Sequence, residues 1–271
     1  MSVVRNSFNH TMSSTALITH VITGLNTATS STNISVFSAE ASLYFAKAIH
    51  QTLLDAGYED ATLDETTYAV TVLGFTFYPI VRSSAGSWAL ACPYIYTQHQ
   101  ISNESMLTGI TGSAGALNAS GSSDLSFNII VRGDGENVVA ITLGSYASPD
   151  TETPLLFVAK AKNLFTSEDA FMFEGQPVSL GSTIYLRNKN TPYVCYDSVV
   201  GSDCNTYYAK AGLTTSSKMI CMPVFAHYGS FLVKGVLQCD SVNFTRGKYY
   251  QIGSDKYYAL GQSGYLLMKV S

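Results

Sequence analysis

Charge is what this chain has least of. Only 34 of its 271 residues are formally charged, 15 Lys+Arg against 19 Asp+Glu, where a globular chain carries roughly 25%. The net charge of −4 excludes a basic nucleic-acid binder, which needs a Lys/Arg excess on one face to neutralise phosphates. A hydrophobic content of 46% excludes a disordered chain, because such chains are poor in apolar residues and rich in charge. Long apolar runs are missing as well. The longest stretch, residues 69–81, is interrupted by Thr71, Gly74, Thr76 and Pro79, and a helical membrane span takes about 20 apolar residues. Residues 1–10 hold no apolar core of a secretory signal, so the chain is expected to be soluble and made in the cytoplasm. Five cysteines, Cys92, Cys195, Cys204, Cys221 and Cys239, fall at irregular spacing with no CxxC pair. That spacing argues against structural zinc, and the cysteines are expected to be reduced and packed as small hydrophobes.

Hydroxyls stand where charges would be. The chain has 33 Ser, 26 Thr and 18 Tyr, but a single Trp, Trp88. Over a surface of roughly 11,000–12,000 Å² for a chain of this size, so few charges leave wide tracts of Ser, Thr, Asn and Tyr. Protein–protein interfaces are depleted in Lys, Glu and Asp and enriched in Tyr, Phe and Met. Much of the exterior is therefore expected to be covered by neighbouring subunits.

Four stretches follow along the chain. Residues 1–36, rich in Ser, Thr and Asn, read as an extended arm with one strand at 16–23. Such arms order by lying on a partner, so removing residues 1–30 is expected to leave a folded, assembly-defective protein. Residues 37–107 read as a helix at 38–56 packed on a β-hairpin. Ala41, Phe45, Ala48, Ile49 and Leu53 recur at helical steps. Ser38 is placed to cap the helix, Glu40 lies in its first turn and Gly57 to end it. The hairpin pairs a strand at 68–80 with one at 87–96 through a turn at 83–86, and Pro79 and Pro93 are expected at strand ends or on an edge. Residues 108–124, nearly all Gly, Ser, Ala and Thr, read as a linker or loop. Residues 125–271 read as an antiparallel β domain of short strands, sandwich- or barrel-like. Its first hairpin turns at Gly133, Asp134, Gly135 and Glu136. The fold class is therefore α+β, predominantly antiparallel β.

Catalytic signatures are wanting. Arg132-Gly133-Asp134 spells an integrin-type tripeptide, but the hairpin turn explains it better. His10, His20, His50, His99 and His227 have no nucleophile elbow or thiol signature to go with them. Asp150 with Glu152, and Glu168 with Asp169, are acid pairs only by proximity in polar turns. No enzyme activity, cofactor or metal is expected. Three tyrosine pairs stand out: Tyr207 and Tyr208, Tyr249 and Tyr250, Tyr257 and Tyr258. Neighbours on a strand face opposite sides, so each pair offers one ring outward, as an interface anchor or as a platform on which a sugar stacks.

Two stretches carry a resemblance, residues 155–174 (LLFVAKAKNLFTSEDAFMFE) and residues 247–270 (GKYYQIGSDKYYALGQSGYLLMKV). The second resembles the closing β-hairpins of structural proteins of tailed bacteriophages and phage-tail-like particles, in which a Gly-x-Tyr-Tyr-x-Ile-Gly-Gly-x-x-Tyr turn precedes a last hydrophobic strand. Here position 254 is Ser, not Gly. The resemblance implies a virion component, of neck, collar, tail-completion or capsid-associated type, partnered by copies of itself and other particle proteins. With a net charge of −4 and no membrane-length apolar run, no direct contact with nucleic acid or membrane is expected. The second expectation is a glycan-binding β-module of a receptor-binding fibre.

Overall fold

The computed structural model describes residues 3–12, 20–22, 34–36, 39–82, 92–97, 124–145, 152–175, 184–188, 194–197, 221–226, 231–239, 245, 247–260 and 266–271. Among them are one helix and eighteen strands, and every pairing whose register is resolved is antiparallel. Among the described residues the chain is predominantly antiparallel β with one helix, as its patterning predicts. It divides into two compact units. One comprises residues 3–132 and 140–156, the other residues 1–2, 133–139 and 157–271. Tyr207, Tyr208, Ser38, the turn at 83–86 and residues 108–123 lie outside the described residues.

The first unit begins with β1 (Val3–Thr11), β2 (His20–Ile22) and β3 (Ile34–Val36), the last two paired with each other. Then come α1 (Ala39–Asp55), β4 (Thr62–Asp64), β5 (Ala69–Val72), β6 (Phe75–Arg82) and β7 (Cys92–Thr97). It closes with β8 (Asp124–Gly133) and parts of β9 (Val138–Ser145) and β10 (Glu152–Asn163). The strand orders are β1-β8-β9-β10 and β4-β5-β6-β7.

Helix α1 forms where the periodicity places it, and the predicted apolar face is its buried face, with Ala41, Phe45, Ala48, Ile49 and Leu53 at most 2% exposed. Its end is a Schellman motif. Gly57, at φ +87°, donates to the Leu54 carbonyl (2.9 Å), and Tyr58 donates to that of Leu53 (3.0 Å). Tyr58 and Leu53 are both fully buried, which supplies the apolar contact that accompanies this cap.

Residues 68–80 are two strands, not the one expected. Leu73 (φ +57°) and Gly74 (φ +83°) form the two-residue connection between Val72 and Phe75. Positive φ at both central positions is the type I′ hairpin turn, whose twist matches the flanking strands. A leucine resists that conformation, but Leu73 is 4% exposed, and its burial offsets the strain. Pro93 lies near the start of β7, an edge strand, as expected, whereas Pro79 is inside β6; parity explains how both are tolerated. Pro93 has no N–H and lies opposite Val81, so this is a non-hydrogen-bonded pair whose backbone groups point away from each other. Pro79, opposite Ile95, is two residues along and has the same parity. Val81 accordingly donates away from β7, to the buried Ser42 Oγ of α1 at 3.0 Å.

Residues 3–11 are also not the arm that composition suggests. Strand β1 pairs with β8 along its whole length, with Phe8 opposite Phe127. Its exposure alternates strictly, which is the mark of a strand with one face covered. The inward residues reach α1. Asn6 donates to Asp55 at 2.7 Å, His10 contacts Glu40 at 3.0 Å, and Phe8 packs between Tyr44 and Phe127. The signal was masked because its polar members, Asn6 and His10, occupy inward positions. Removing residues 1–30 therefore strips contacts from α1 and β8 and is expected to destabilise the fold, not to leave a folded, assembly-defective protein.

The second unit holds the start of β9, the end of β10, β11 (Asp169–Gly175), β12 (Ile184–Asn188), β13 (Val194–Asp197), β14 (Cys221–Ala226), β15 (Phe231–Cys239), β16 (Tyr249–Ile252), β17 (Asp255–Leu260) and β18 (Leu266–Lys269). Its strand order runs β10-β15-β18-β17-β16, with β14 on β15 and the series β11-β12-β13 on β10. The predicted turn at 133–136 sits one residue later. Asp134 Oδ1 accepts from the N–H groups of Glu136, Asn137 and Val138 at 3.0, 2.7 and 3.0 Å, with Gly135 at φ +80°.

Candidate functional site

The four described tyrosines of the predicted pairs meet on one hairpin. Gly253 (φ +62°) and Ser254 connect Ile252 to Asp255. Positive φ at the first position alone is the type II′ turn, which demands Gly only there, so Ser254 fits. The register sets Tyr249 opposite Tyr258 and Tyr250 opposite Tyr257. Directly opposed residues share a face, so the four rings separate into two cross-strand couples.

The inner couple is structural. Tyr257 is 8% exposed and packs with Cys239, Ala259 and Leu267, and Tyr250 packs on the same cluster. Tyr250 Oη accepts the Thr245 N–H at 2.6 Å. Burial, and after it the Asp255 carboxylate, raises the Tyr257 phenol above its ordinary value. Lys269 bridges to Asp255 at 3.0 Å, and that hydrogen bond raises the ammonium pKa.

The outer couple is presented. Tyr249 is 40% exposed; its ring lies 5.1 Å from that of Tyr258, tilted by 52°. The Lys256 ammonium sits 4.7 Å from the Tyr249 centroid, within cation–π range. A second apolar group is offered where β10 turns into β11. Asn163 Oδ1 accepts from Phe165 and Thr166 at 2.9 and 3.1 Å, and the Ser167 N–H donates to the Asn163 carbonyl at 2.9 Å. This tied turn carries Leu164 at 47% and Phe165 at 82% exposure. The strand pattern at 155–161 and 170–174 leaves residues 162–169 as a connection, but nothing in it announces that Leu164 and Phe165 are exposed there.

Of the acids and histidines singled out earlier, Glu152, Glu168, His10 and His50 have structural partners, while Asp150, His99 and His227 lie outside the described residues. Arg132, 6% exposed, donates to Glu152 at 2.7 Å and to Thr142 Oγ1 at 3.3 Å, and Arg5 reaches the same Glu152 oxygen at 3.3 Å. Arg132 is thus held inward and the Asp134 carboxylate is spent on its own turn, so the tripeptide is not displayed as a ligand. Sequence reading missed this cluster. Its signal was the pairing of Arg132 at the end of the apolar run 129–131 with Glu152 just ahead of the apolar run 154–159. Glu168 is engaged by Thr166 Oγ1 at 3.2 Å. His50 contacts the Ala61 carbonyl at 3.1 Å, and His10 stacks on Tyr44 at 4.5 Å. Among the described residues, no group of three or more His, Cys, Asp or Glu is placed to hold a metal ion, and no helix is long and apolar enough to cross a membrane.

No family model, curated protein or solved structure matches the chain.

Proposed function

We propose that the protein is a non-enzymatic structural component of a virion or phage-tail-like particle, working through contacts with copies of itself and with other particle proteins. The observation that carries this reading is the scarcity of charge, 34 charged residues in 271: a surface so poor in Lys, Glu and Asp is built for burial against neighbours. Phe165 and Tyr249 supply exposed apolar groups on hydrogen-bonded hairpins, where burying them costs little ordering entropy. Apolar burial then drives assembly with little electrostatic desolvation.

Native mass spectrometry and electron microscopy of the purified chain test it. Closed rings or tubes are expected, and the double variant Phe165→Ser, Tyr249→Ser should dissociate them while keeping the wild-type melting temperature. A wild-type chain that stays monomeric at high concentration and turns over a small molecule overturns the reading.

The outward Tyr249–Tyr258 couple also favours a second reading, a glycan-binding module that stacks sugars on these rings. Saturable binding on a glycan array, lost in Tyr249→Ala and Tyr258→Ala, would select it. Tyr257 belongs to the core and is no probe of binding.

A further inference from the structure

Cys221 and Cys239 were expected to be inert small hydrophobes, and both are thiols in this structure. Their placement is more specific than that. Cys221 opens β14, Cys239 closes β15, and the register sets them directly opposite each other. Directly opposed residues of an antiparallel pair have Cα atoms about 4.5 or 5.5 Å apart, depending on the type of pair. Both values fall within the roughly 4.4–6.8 Å that a disulfide spans. The two side chains also share a face: Cys239 is fully buried in the cluster with Tyr257, Ala259 and Leu267, and Cys221 packs against it half-buried.

The geometry points to an oxidation site, a dithiol at Cys221 and Cys239 that a low-molecular-weight disulfide converts to a cross-strand bond. The exposure difference assigns the order of events. The Cys221 thiolate, reachable from solvent, attacks the oxidant, forms a mixed disulfide and releases the first thiolate. Cys239 then attacks the Cys221 sulfur, closes the intramolecular bond and expels the second. The two protons leave the cysteines and end on the released thiols, so one oxidant disulfide is reduced to two thiols for each bond formed. The product staples β14 to β15 beneath the inner tyrosine couple. This inference does not depend on the particle reading.

The test uses the intact native chain. It is incubated with glutathione disulfide at neutral pH, alkylated, digested with trypsin without reduction and analysed by mass spectrometry. Trypsin cuts after Lys218, Lys234 and Arg246, so the bond joins two separate peptides, 219–234 and 235–246. The expected result is a mass lower by about 2 Da in the whole chain, the linked peptide pair as the dominant disulfide, and its loss on adding dithiothreitol. The oxidised protein should melt at a higher temperature than the reduced one. Cys239→Ser should instead stop at a glutathione adduct on Cys221. The inference is overturned if the native chain gives no linked pair, or if Cys221 links as readily to Cys92, Cys195 or Cys204. It is equally overturned if the pair forms only in denaturant.

Discussion

Where β1, α1 and β8 meet, Phe8, Tyr44 and Phe45 surround Phe127 with ring centroids 5.7, 5.9 and 5.5 Å from its own. On the C-terminal hairpin, Tyr249 and Tyr258 sit at a comparable 5.1 Å but face outward. The first cluster gathers rings from three elements, and its β1–β8 pairing joins residues more than a hundred positions apart. It closes the core of its unit. The second gathers rings from two consecutive strands and leaves one couple in and one couple out. Aromatic content alone thus says nothing of role; the number of elements converging on a ring does.

The sharpest way to break the comparison is Phe127→Ala. Phe127 is 1% exposed and contacts three other rings, so truncation should cost about 3–5 kcal/mol in denaturant unfolding and loosen β1. A loss below about 1 kcal/mol would mean that β1 is held by its ladder alone. Next comes a contrast within the hairpin. Tyr257→Ala should cost about 3 kcal/mol, whereas Tyr249→Ala should stay within about 0.5 kcal/mol. Equal losses would erase the distinction between inner and outer couples.

Legibility followed the range of the signal. Helix α1 was readable because its face repeats every three or four residues and its stop is one glycine. The hairpin of β16 and β17 was readable because its two strands alternate around a short turn. What escaped depends on distant partners. Strand β1 hides its period because Asn6 and His10 turn inward to meet α1, and no local rule announces those partners. The break at Leu73 escaped because a buried leucine occupies a position where Asn or Asp is usual. Arg132 and Glu152 escaped because one reads as the end of a strand and the other as part of a polar turn, and no local rule joins them. Of the candidate site, the tyrosines were visible in sequence, but which ring of each couple faces out was set by register, and the exposure of Phe165 by the Asn163 turn.

Gly57→Ala tests the local end of that range. A Cβ there would meet nothing within 4 Å, so the whole penalty is conformational, from forcing alanine to φ +87°. About 1 kcal/mol is expected. A larger loss would show that the cap also fixes the buried Tyr58, making α1's end as context-dependent as β1.

The smallest effect is expected at Asp64, the last residue of β4, whose side chain braces the turn into β5. Its carboxylate accepts the Thr66 N–H at 2.8 Å, the Thr67 N–H at 3.3 Å and the Thr67 hydroxyl at 2.9 Å. The Thr66 N–H, and after it the Thr67 hydroxyl, hold the pKa below the ordinary aspartate value. Because the folded value lies below the unfolded one, the contribution is complete above the unfolded pKa and disappears as pH falls through the folded one. The side chain is fully exposed, so solvent keeps this contribution small. Carboxyl-detected NMR titration should place the Asp64 midpoint below that of an unstructured aspartate, and Thr67→Val should move it part of the way back. A midpoint indifferent to Thr67→Val would leave the backbone N–H groups as the sole cause and make this turn, like that of Gly57, a purely main-chain device.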